Sequence, residues 1–391
     1  MFKKLCLATV SCVLFFVLLE GLCSCLMVAY ELWPSHQHRT LSAHSVQYDS
    51  QLGWVSVPNF SEKNYYAPGV SLRINSQGFR SNQEFTQTVP EGKFRIICSG
   101  DSFTFGDGVD NDSTWCQRLE SADPRFQVVN MGETGYGADQ MYLRYMREGS
   151  RLDHDVHVFA FIADDMRRMQ LSDLGGYGKP FLKLHNRELA TENVPVPQRS
   201  SLLRWMALKP NPLREFKSLA LLSSVAEKLV PPPVSAFSNG PTEGQAQILD
   251  AMFKNLQAIE KEKNSLLILL YLPTRVADYE AGGVSMAWRT WTRNECAKRG
   301  IVFVDFIDDF QKLPVTMKDG LFIWPGSIQY FAEVPGHYDD QGHDWIAREL
   351  YARLISIPEV ATKLDQRLGN QVAKDEVGSR VGIENGHAAA N

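Results

Sequence analysis

Residues 94–106 read FRIICSGDSFTFG, an apolar segment of strand length that runs directly into a turn of small and polar residues. Short apolar runs of this kind are typical of strands that are covered on both faces of a parallel sheet. Gly100 permits a tight turn, and Ser102 would open the following helix with its hydroxyl and backbone N–H exposed together. The alternative interpretation is a helix cap, since aspartate and serine are common capping residues.

Four further apolar runs of strand length follow this one and alternate with helical patterns. The clearest helical pattern covers residues 243–263, where apolar side chains recur at helical spacing while lysine and glutamate fill the other face. This alternation predicts an α/β fold, a three-layer α/β/α sandwich over 94–356 with a parallel central sheet of about five strands and right-handed crossovers. The four further runs are 126–130, 156–162, 266–272 and 301–306.

The chain divides into four regions by composition. We expect a cytoplasmic stub and membrane anchor, a lead-in segment of short strands, the α/β domain and a disordered tail poor in large apolar residues. An insertion at 166–242 separates the third and fourth strands, and a structureless loop of that length is improbable, so it should contain helices and is a candidate lid. The four regions are 1–33, 34–90, 91–360 and 361–391.

The amino-terminal run 5–30 is predominantly apolar and contains one charged residue, Glu20. At 1.5 Å per residue it could cross a hydrocarbon core of roughly 30 Å as one transmembrane helix. Lys3 and Lys4 precede the run and no basic residue follows immediately, which predicts a cytoplasmic amino terminus and a domain on the other side. Glu20 would lie near the outer interface or pair with another membrane helix. The alternative is a cleaved signal peptide with its apolar region at 5–19, but no A-x-A-like cleavage site follows.

Charge and cysteine placement exclude several classes of function. With 40 basic and 45 acidic residues, the net charge of −5 supplies no positive field for nucleic acid, and no local basic patch exists. Of the seven cysteines, Cys98, Cys116 and Cys296 lie beyond the amino-terminal run, and no C-x-x-C pair occurs. The spacing argues against a zinc site, so we expect no metal and no cofactor, and it favours buried free thiols over a disulfide framework.

Two further strand ends carry residues suited to a site, since ligands bind outside the carboxyl ends of parallel strands. Residues 130–137, NMGETGYG, contain glycines that let a backbone N–H approach a ligand as an oxyanion donor, or that simply form a strand-to-helix turn. Their order does not fit a dinucleotide fingerprint. The third strand ends in Asp164 and Asp165, which would lie beside the same site or begin a helix.

Residues 333–343, EVPGHYDDQGH, place two of the nine histidines in one loop before the last amphipathic helix. A serine nucleophile needs a base within hydrogen-bonding reach, and a histidine from a late loop can supply it. The alternative for either histidine is a surface or capping role.

Taken in order, these blocks resemble the SGNH (GDSL-like) hydrolase superfamily. The lead-in motifs LGW at 52–54, PN at 58–59 and INSQGFR at 74–80 are similar to those of membrane-anchored bacterial members, and the resemblance extends over 48–356. The blocks of the site are GDS at 100–102, NMGETG at 130–135, DD at 164–165 where Asn-Asp is usual, and His337 with Gly342-His343.

The resemblance implies a flavodoxin-like SGNH fold with Ser102 as nucleophile and His337 as base. The backbone N–H groups of Ser102 and Gly135 would line the oxyanion hole. The third donor in the family is an asparagine side chain, and Asp164 stands in its place. A carboxylate cannot donate a hydrogen bond, so Asp164 would have to be protonated, turned away or replaced by another donor.

The family's acid precedes the base histidine by two or three residues, where this chain has Pro335 and Val334. Glu333 is the candidate substitute, or the base acts through a backbone carbonyl. A second-choice base pair is Asp340 and His343, which form a literal Asp-x-x-His but place the histidine at the start of a helix.

The resemblance therefore implies a serine esterase or O-acyltransferase acting on acyl, especially acetyl, esters of an extracytoplasmic glycan, or on another small ester. The protein would be a single-pass protein of the bacterial inner membrane with its domain in the periplasm or outside the cell. The alternative is a catalytically impaired SGNH-fold protein that binds a glycan or an assembly partner, since two site positions depart from the pattern.

Overall fold

The computed structural model describes residues 2–31, 44–174, 177–198, 218, 240–279, 285–324 and 334–367. The strands are β1 (Val46–Asp49), β2 (Gly53–Ser56), β3 (Ser61–Ala67), β4 (Val70–Arg73), β5 (Phe94–Gly100), β6 (Phe126–Gly132), β7 (Val156–Phe161), β8 (Asp173–Leu174), β9 (Tyr177–Gly178), β10 (Phe181–His185), β11 (Glu188–Glu192), β12 (Leu266–Tyr271) and β13 (Val302–Asp305). The α-helices are α1 (Phe2–Glu31), α2 (Ser102–Phe105), α3 (Trp115–Ala122), α4 (Ala138–Arg147), α5 (Ala163–Arg168), α6 (Glu243–Glu262), α7 (Arg275–Asp278), α8 (Met286–Arg299), α9 (Ile307–Lys312), α10 (Val315–Asp319) and α11 (Asp340–Ser356).

Five strands form the central sheet in the order β13-β12-β7-β5-β6, and every neighbouring pair is parallel. They coincide with the five apolar runs of the sequence, so the predicted α/β fold with a parallel sheet is confirmed. The reason is burial on both faces: every residue of β5, β6 and β7 is buried. Because the strands are parallel, the turns that follow β5, β6 and β7 all lie at the same end of the sheet.

Two apolar cores sandwich the sheet. On one face Ile97, Val129 and Phe159 pack against side chains of α4, α6 and α8. On the other face Ile96 and Val158 pack against α3 and α11. A single buried aliphatic side chain contributes about 1.5–3 kcal/mol relative to exposure, so these two cores supply much of the driving force for folding of the domain.

The lead-in segment forms two antiparallel hairpins, β1–β2 and β3–β4. Its aromatic residues Tyr65 and Tyr66 share a third apolar cluster with Phe105 of α2 and Val334. The lead-in thus packs against the edge of the sheet where the strands end, instead of standing apart from the domain.

The described start of the insertion differs from the helices that we expected. Residues 173–192 form two hairpins, β8–β9 and β10–β11. In the second, His185 pairs with Glu188 around Asn186 and Arg187, which both have positive φ, as a two-residue hairpin of type I′ requires. Most of the remainder of the insertion, and with it the predicted lid, lies outside the described residues.

The two ends of the chain add detail to the predicted boundaries. Helix α1 contains a span, Leu7–Leu26, long and apolar enough to cross a membrane, as an anchor or a signal sequence would be. At the other end, Val360 and Leu364 are buried and Arg367 pairs with Asp155 at 2.9 Å, so residues up to 367 belong to the packed domain. The rest of the predicted tail lies outside the described residues.

The three cysteines beyond α1 are free thiols. Cys98, Cys116 and Cys296 are all buried. Burial also raises the pKa of the Cys296 thiol to about 12, which keeps it protonated at neutral pH. These side chains act as small apolar groups of the core.

Candidate active site

Ser102 is the first residue of the short helix α2 and follows β5 directly. Asp101 caps this helix by accepting a hydrogen bond from Phe103 N at 2.9 Å. A Cβ atom on Gly100 would collide with the side chain of Thr104, so the glycine is needed for the close approach of helix and strand. Asp101 is therefore the helix cap that the sequence offered as the alternative interpretation. The Ser102 side chain has no capping role and lines a cavity.

The structure brings His337 to Ser102. The distance from His337 Nε2 to Ser102 Oγ is 2.7 Å, and His337 Nδ1 lies 3.0 Å from the carbonyl oxygen of Val334. A carbonyl oxygen can only accept a hydrogen bond, so Nδ1 carries the ring proton and donates a hydrogen bond to the Val334 carbonyl. Nε2 is then unprotonated and accepts a hydrogen bond from the serine hydroxyl. This is the tautomer that a general base for Ser102 requires.

The loop that carries His337 is fixed from both sides. Ile323 N donates to the His337 carbonyl at 2.8 Å, and the imidazole packs on the Phe103 ring with centroids 4.7 Å apart. Gly336, the residue before the histidine, has a φ of +95°, a left-handed conformation that favours glycine. The histidine is therefore held in place before any substrate arrives.

Among the described residues, the group that holds His337 Nδ1, where a triad would have its acid, is a backbone carbonyl. Glu333 lies outside them, and the contact of His337 Nδ1 with the Val334 carbonyl corresponds to the second of the two alternatives left open by the sequence. Asp101 is the nearest described carboxylate to the serine, with Oδ2 at 3.5 Å from Ser102 Oγ. Its burial raises the pKa of Asp101, an effect that Arg168 and the nearby His337 partly oppose.

The second-choice base pair is not assembled at the serine. His343 is fully buried and its Nδ1 accepts a hydrogen bond from Trp115 N at 3.1 Å, which holds the start of α3. Burial lowers the pKa of His343 well below the usual range. Asp340 forms an ion pair with Arg118 at 2.8 Å. Both residues therefore serve the packing of α11 against α3.

The turn after β6 brings a second backbone donor to the site. Gly135 has a φ of +78°, and a Cβ atom there would lie 3.1 Å from Leu174 Cδ2, so a larger residue would be strained and crowded. Among the described residues, neither Gly135 N–H nor Ser102 N–H donates a hydrogen bond to a backbone acceptor. Both residues line the cavity, so these N–H groups are available to a ligand oxygen.

Asp164 does not provide the third donor. Its carboxylate accepts from Arg167 Nε at 2.7 Å and from Arg168 Nε at 2.8 Å. Burial alone would raise the pKa of Asp164, but the two guanidinium groups outweigh that effect and lower it. Asp164 is thus an ionised carboxylate held by two cations, and it is Arg168 that lines the cavity with Ser102 and Gly135.

The cavity beside Ser102 has a volume of about 440 Å³, within the range of small-molecule sites. Sequence reasoning missed seven of the 17 residues that line it, which come from the lead-in segment and from the β8–β9 hairpin. The LGW motif was the one signal in the sequence, since Trp54 Nε1 donates to the Thr134 carbonyl at 2.9 Å, one residue before Gly135. The lining residues from these two segments are Ser45, Val46, Trp54, Tyr65, Tyr66, Leu174 and Tyr177.

The cavity also contains buried acceptors. Asp107 is almost fully buried and accepts hydrogen bonds from Tyr66 Oη and Thr134 Oγ1, each at 2.8 Å. Glu133 accepts from Ser56 and forms an ion pair with Arg144 at 3.0 Å. Within the described part of the chain, no cluster of three or more histidine, cysteine, aspartate or glutamate side chains has the geometry to hold a metal ion.

Neither a known family model nor a curated protein matches the chain. Similar solved structures include a member of the lipolytic protein G-D-S-L family from Veillonella parvula DSM 2008, at 13% identity and a TM-score of 0.35, covering 67% of this chain and 100% of that one. The acetyl xylan esterase AlAXEase is similar at 12% identity and a TM-score of 0.37, covering 67% and 100%. The lipase/acylhydrolase from Enterococcus faecalis is similar at 14% identity and a TM-score of 0.36, covering 66% and 96%. Likeness at this level does not decide the activity, which has to be judged from the site itself.

Proposed function

We propose that the protein is a serine esterase or O-acyltransferase in which Ser102 is the nucleophile and His337 the general base. The observation that carries this proposal is the 2.7 Å contact between Ser102 Oγ and His337 Nε2, with Nδ1 held by the Val334 carbonyl, at the wall of a cavity. The available N–H groups of Ser102 and Gly135 add the two backbone donors that an acyl-transfer site needs.

In the first step Ser102 Oγ bonds to the carbonyl carbon of the ester, its proton passes to His337 Nε2, and the π electrons of the C=O bond move to the oxygen. The N–H groups of Ser102 and Gly135 stabilise this oxyanion. When the C–O bond to the alcohol breaks, His337 returns the proton to the leaving oxygen, and an acyl-serine remains. Water or a sugar hydroxyl then gives its proton to His337 Nε2 and attacks the acyl carbon. The bond between this carbon and Ser102 Oγ breaks, and His337 returns the proton to Oγ, which restores the serine hydroxyl and the neutral imidazole.

The Val334 carbonyl replaces only part of what a carboxylate does in such sites. It fixes the ring orientation and the tautomer, both of which the base needs. It carries no full charge, so it stabilises the imidazolium of the intermediate less than a carboxylate would. We therefore expect a working but slow hydrolytic centre, which is compatible with an acyltransferase that must hold its acyl-serine until an acceptor binds.

An acylated carbohydrate fits the cavity as substrate. The Trp54 and Tyr177 rings lie edge to face at 6.0 Å and line the wall, where their apolar surfaces can pack on the C–H face of a sugar. Asp107 can accept hydrogen bonds from sugar hydroxyls. With α1 as a membrane anchor, the domain would meet acetylated glycans on the outer side of the bacterial inner membrane.

The test uses the full-length chain in detergent micelles with p-nitrophenyl acetate, beside the Ser102→Ala variant. We expect release of p-nitrophenol by the wild type alone, and an acetyl adduct on Ser102 in the intact mass after rapid acid quench. Equal rates for both proteins would remove Ser102 from the mechanism. Absence of turnover and of adduct with any acyl donor would favour the binding protein that the sequence left as the alternative.

A further inference from the structure

Helix α5 carries Asp164, which stands where related sites have the asparagine donor, and ends in Arg168, which lines the cavity. Asp164 and Arg168 are four residues apart on α5, so they lie on one face of the helix and their side chains pair at 2.8 Å. Asp164 accepts this bond, and Arg168 is the member of the pair that lines the cavity. The exchange of asparagine for aspartate therefore coincides with a guanidinium group beside the serine.

Arg168 contacts a chain neighbour of each of the two backbone donors. Nη1 lies 3.3 Å from Asp101 Oδ2, the oxygen that is itself 3.5 Å from Ser102 Oγ. Nη1 also donates to the carbonyl of Tyr136, the neighbour of Gly135, at 3.2 Å. The side chain is 16% exposed, and Nη2 donates to no side chain or backbone oxygen in the described part of the chain.

The positive charge of Arg168 is balanced by neighbouring carboxylates of the protein, without a negatively charged group from a substrate. Asp101 and Asp164 both pair with the guanidinium. Asp165 lies 3.2 Å from Nη1, and burial together with the charge of Asp101 raises the pKa of Asp165 well above its usual range. An additional full negative charge brought by the substrate is therefore not needed to balance this cluster.

We propose that Arg168 is a catalytic residue whose Nη2 donates the third hydrogen bond to the oxyanion, in place of the asparagine side chain of related sites. This inference rests on the proposed function. As Ser102 Oγ bonds to the carbonyl carbon and its proton moves to His337, the C=O electrons move onto the oxygen, and the guanidinium meets this charge with a charge-assisted bond. Asp164 is then a positioning residue that holds Arg168 through Nε.

The experiment compares Arg168→Gln and Arg168→Lys with Arg167→Gln in the full-length chain. Arg167 is the matched control because it pairs with the same Asp164 but does not line the cavity. Loss of an oxyanion donor typically costs about 10²–10³-fold in kcat, so we expect a loss of that size for Arg168→Gln and a smaller loss for Arg168→Lys. KM should change little, and Arg167→Gln should stay within about threefold of the wild type.

Two acyl donors separate this role from recognition of a substrate anion. p-Nitrophenyl acetate is neutral, and the p-nitrophenyl monoester of succinic acid carries a carboxylate on its acyl group. A similar loss of kcat on both esters supports the oxyanion role. A loss confined to the succinyl ester, or equal rates for the Arg168 and Arg167 variants, would overturn it while the Ser102-dependent activity stands. A wild-type rate no higher than that of Ser102→Ala would instead overturn the proposed function.

The conservative variant Asp164→Asn covers the case in which the Arg168 variants fail to fold. It keeps the size of the side chain but weakens the bond that holds Arg168 Nε. We expect kcat to fall several-fold with little change in KM. A rise in kcat would show that the asparagine amide itself can act as the third donor, and would overturn the assignment of that role to Arg168.

Discussion

The part of the chain that the structure describes contains two serine–histidine pairs. Ser102 and His337 meet at the carboxyl edge of the sheet, whereas Ser99 Oγ lies 2.9 Å from His157 Nε2 within the sheet itself. In the inner pair His157 Nδ1 lies 2.8 Å from Glu260 Oε1, which completes a serine–histidine–carboxylate chain. In the outer pair a backbone carbonyl takes that position among the described residues.

The two pairs differ in what surrounds them. Ser99, His157 and Glu260 are each at most 1% exposed, and helix α6 covers them. Ser102 lies beside a cavity with two backbone N–H groups available. A nucleophile needs room for a carbonyl carbon and donors for its oxygen. Access and available donors, and not the completeness of the serine–histidine–carboxylate chain, therefore make the outer pair the candidate for catalysis.

The largest contrast should appear when the same substitution is made in each pair. Ser102→Ala removes the proposed nucleophile, and we expect the esterase rate to fall by about 10³-fold or more. Ser99→Ala removes a buried hydroxyl that no substrate can reach, and we expect the rate to stay within about twofold. Initial rates with p-nitrophenyl acetate, normalised to folded protein by circular dichroism, provide the measurement. A loss of activity in a folded Ser99→Ala variant would contradict the comparison.

We expect the inner pair, Ser99 and His157 with Glu260, to contribute to the free energy of unfolding and not to activity. Glu260 accepts from His154 Nε2 and from His157 Nδ1, both at 2.8 Å. Glu260→Gln leaves an amide N–H₂ facing one of these rings, and an unsatisfied buried group costs about 1–3 kcal/mol. We expect a lower urea midpoint of unfolding with little change in the activity per folded molecule. Unchanged stability would show that the network contributes nothing to folding.

The same network predicts a loss of stability in acid. Burial favours a raised pKa for Glu260, but the hydrogen bonds from His154 and His157 outweigh it and lower the pKa, while burial lowers the pKa of His157. For both residues the pKa in the folded chain lies below the pKa in the unfolded chain. As the pH falls, the unfolded chain therefore binds more protons than the folded chain does. Stability is therefore complete above about pH 6.5, and decreases first as His157 and then as Glu260 titrates in the unfolded chain.

Melting temperatures between pH 7.5 and pH 4 measure this effect. The Glu260→Gln variant supplies the control, because it lacks the carboxylate and should show a flatter dependence on pH in the lower part of this range. Parallel curves for the two proteins would assign the acid sensitivity to other groups.

The smallest effect concerns the outer pair. Because the Val334 carbonyl holds His337 Nδ1, the proposed mechanism requires no carboxylate from Glu333. We expect Glu333→Gln to leave kcat within about twofold of the wild type and to leave the acidic limb of the pH–rate profile in place. A loss of about 10²-fold or more would show that Glu333 supports the imidazolium and would make the outer pair a complete triad like the inner one.

The sheet was accessible from the sequence because its strands are buried on both faces. A run such as LLILLY in β12 has no charged residue that would need water, so its assignment as a buried strand follows from its composition and length. The β10–β11 hairpin was missed because its strands are partly exposed and Asn186-Arg187 is a weak turn signal.

The candidate site was only partly accessible for a different reason. The proximity of Ser102 and His337 was expected from a resemblance, since 235 positions separate them along the chain. The contact of Trp54 with Thr134, 80 positions away, depends on how the lead-in packs, which no local pattern encodes. The partner of His337 is a backbone carbonyl, and backbone groups leave no trace in the identity of a residue.

The lead-in contributes the first wall residues of the cavity, and these include Ser45 and Val46, which follow α1 closely along the chain. A peptide chain extends by at most about 3.5 Å per residue, so the 14 steps from Glu31 to Ser45 span no more than about 50 Å. For a domain held by α1 in a membrane, this length limits how far the cavity can lie from the membrane surface. Under the proposed function, the domain would act within a thin layer above the lipid, and a polymeric substrate would be modified there as it passes the membrane surface and not after it has diffused away.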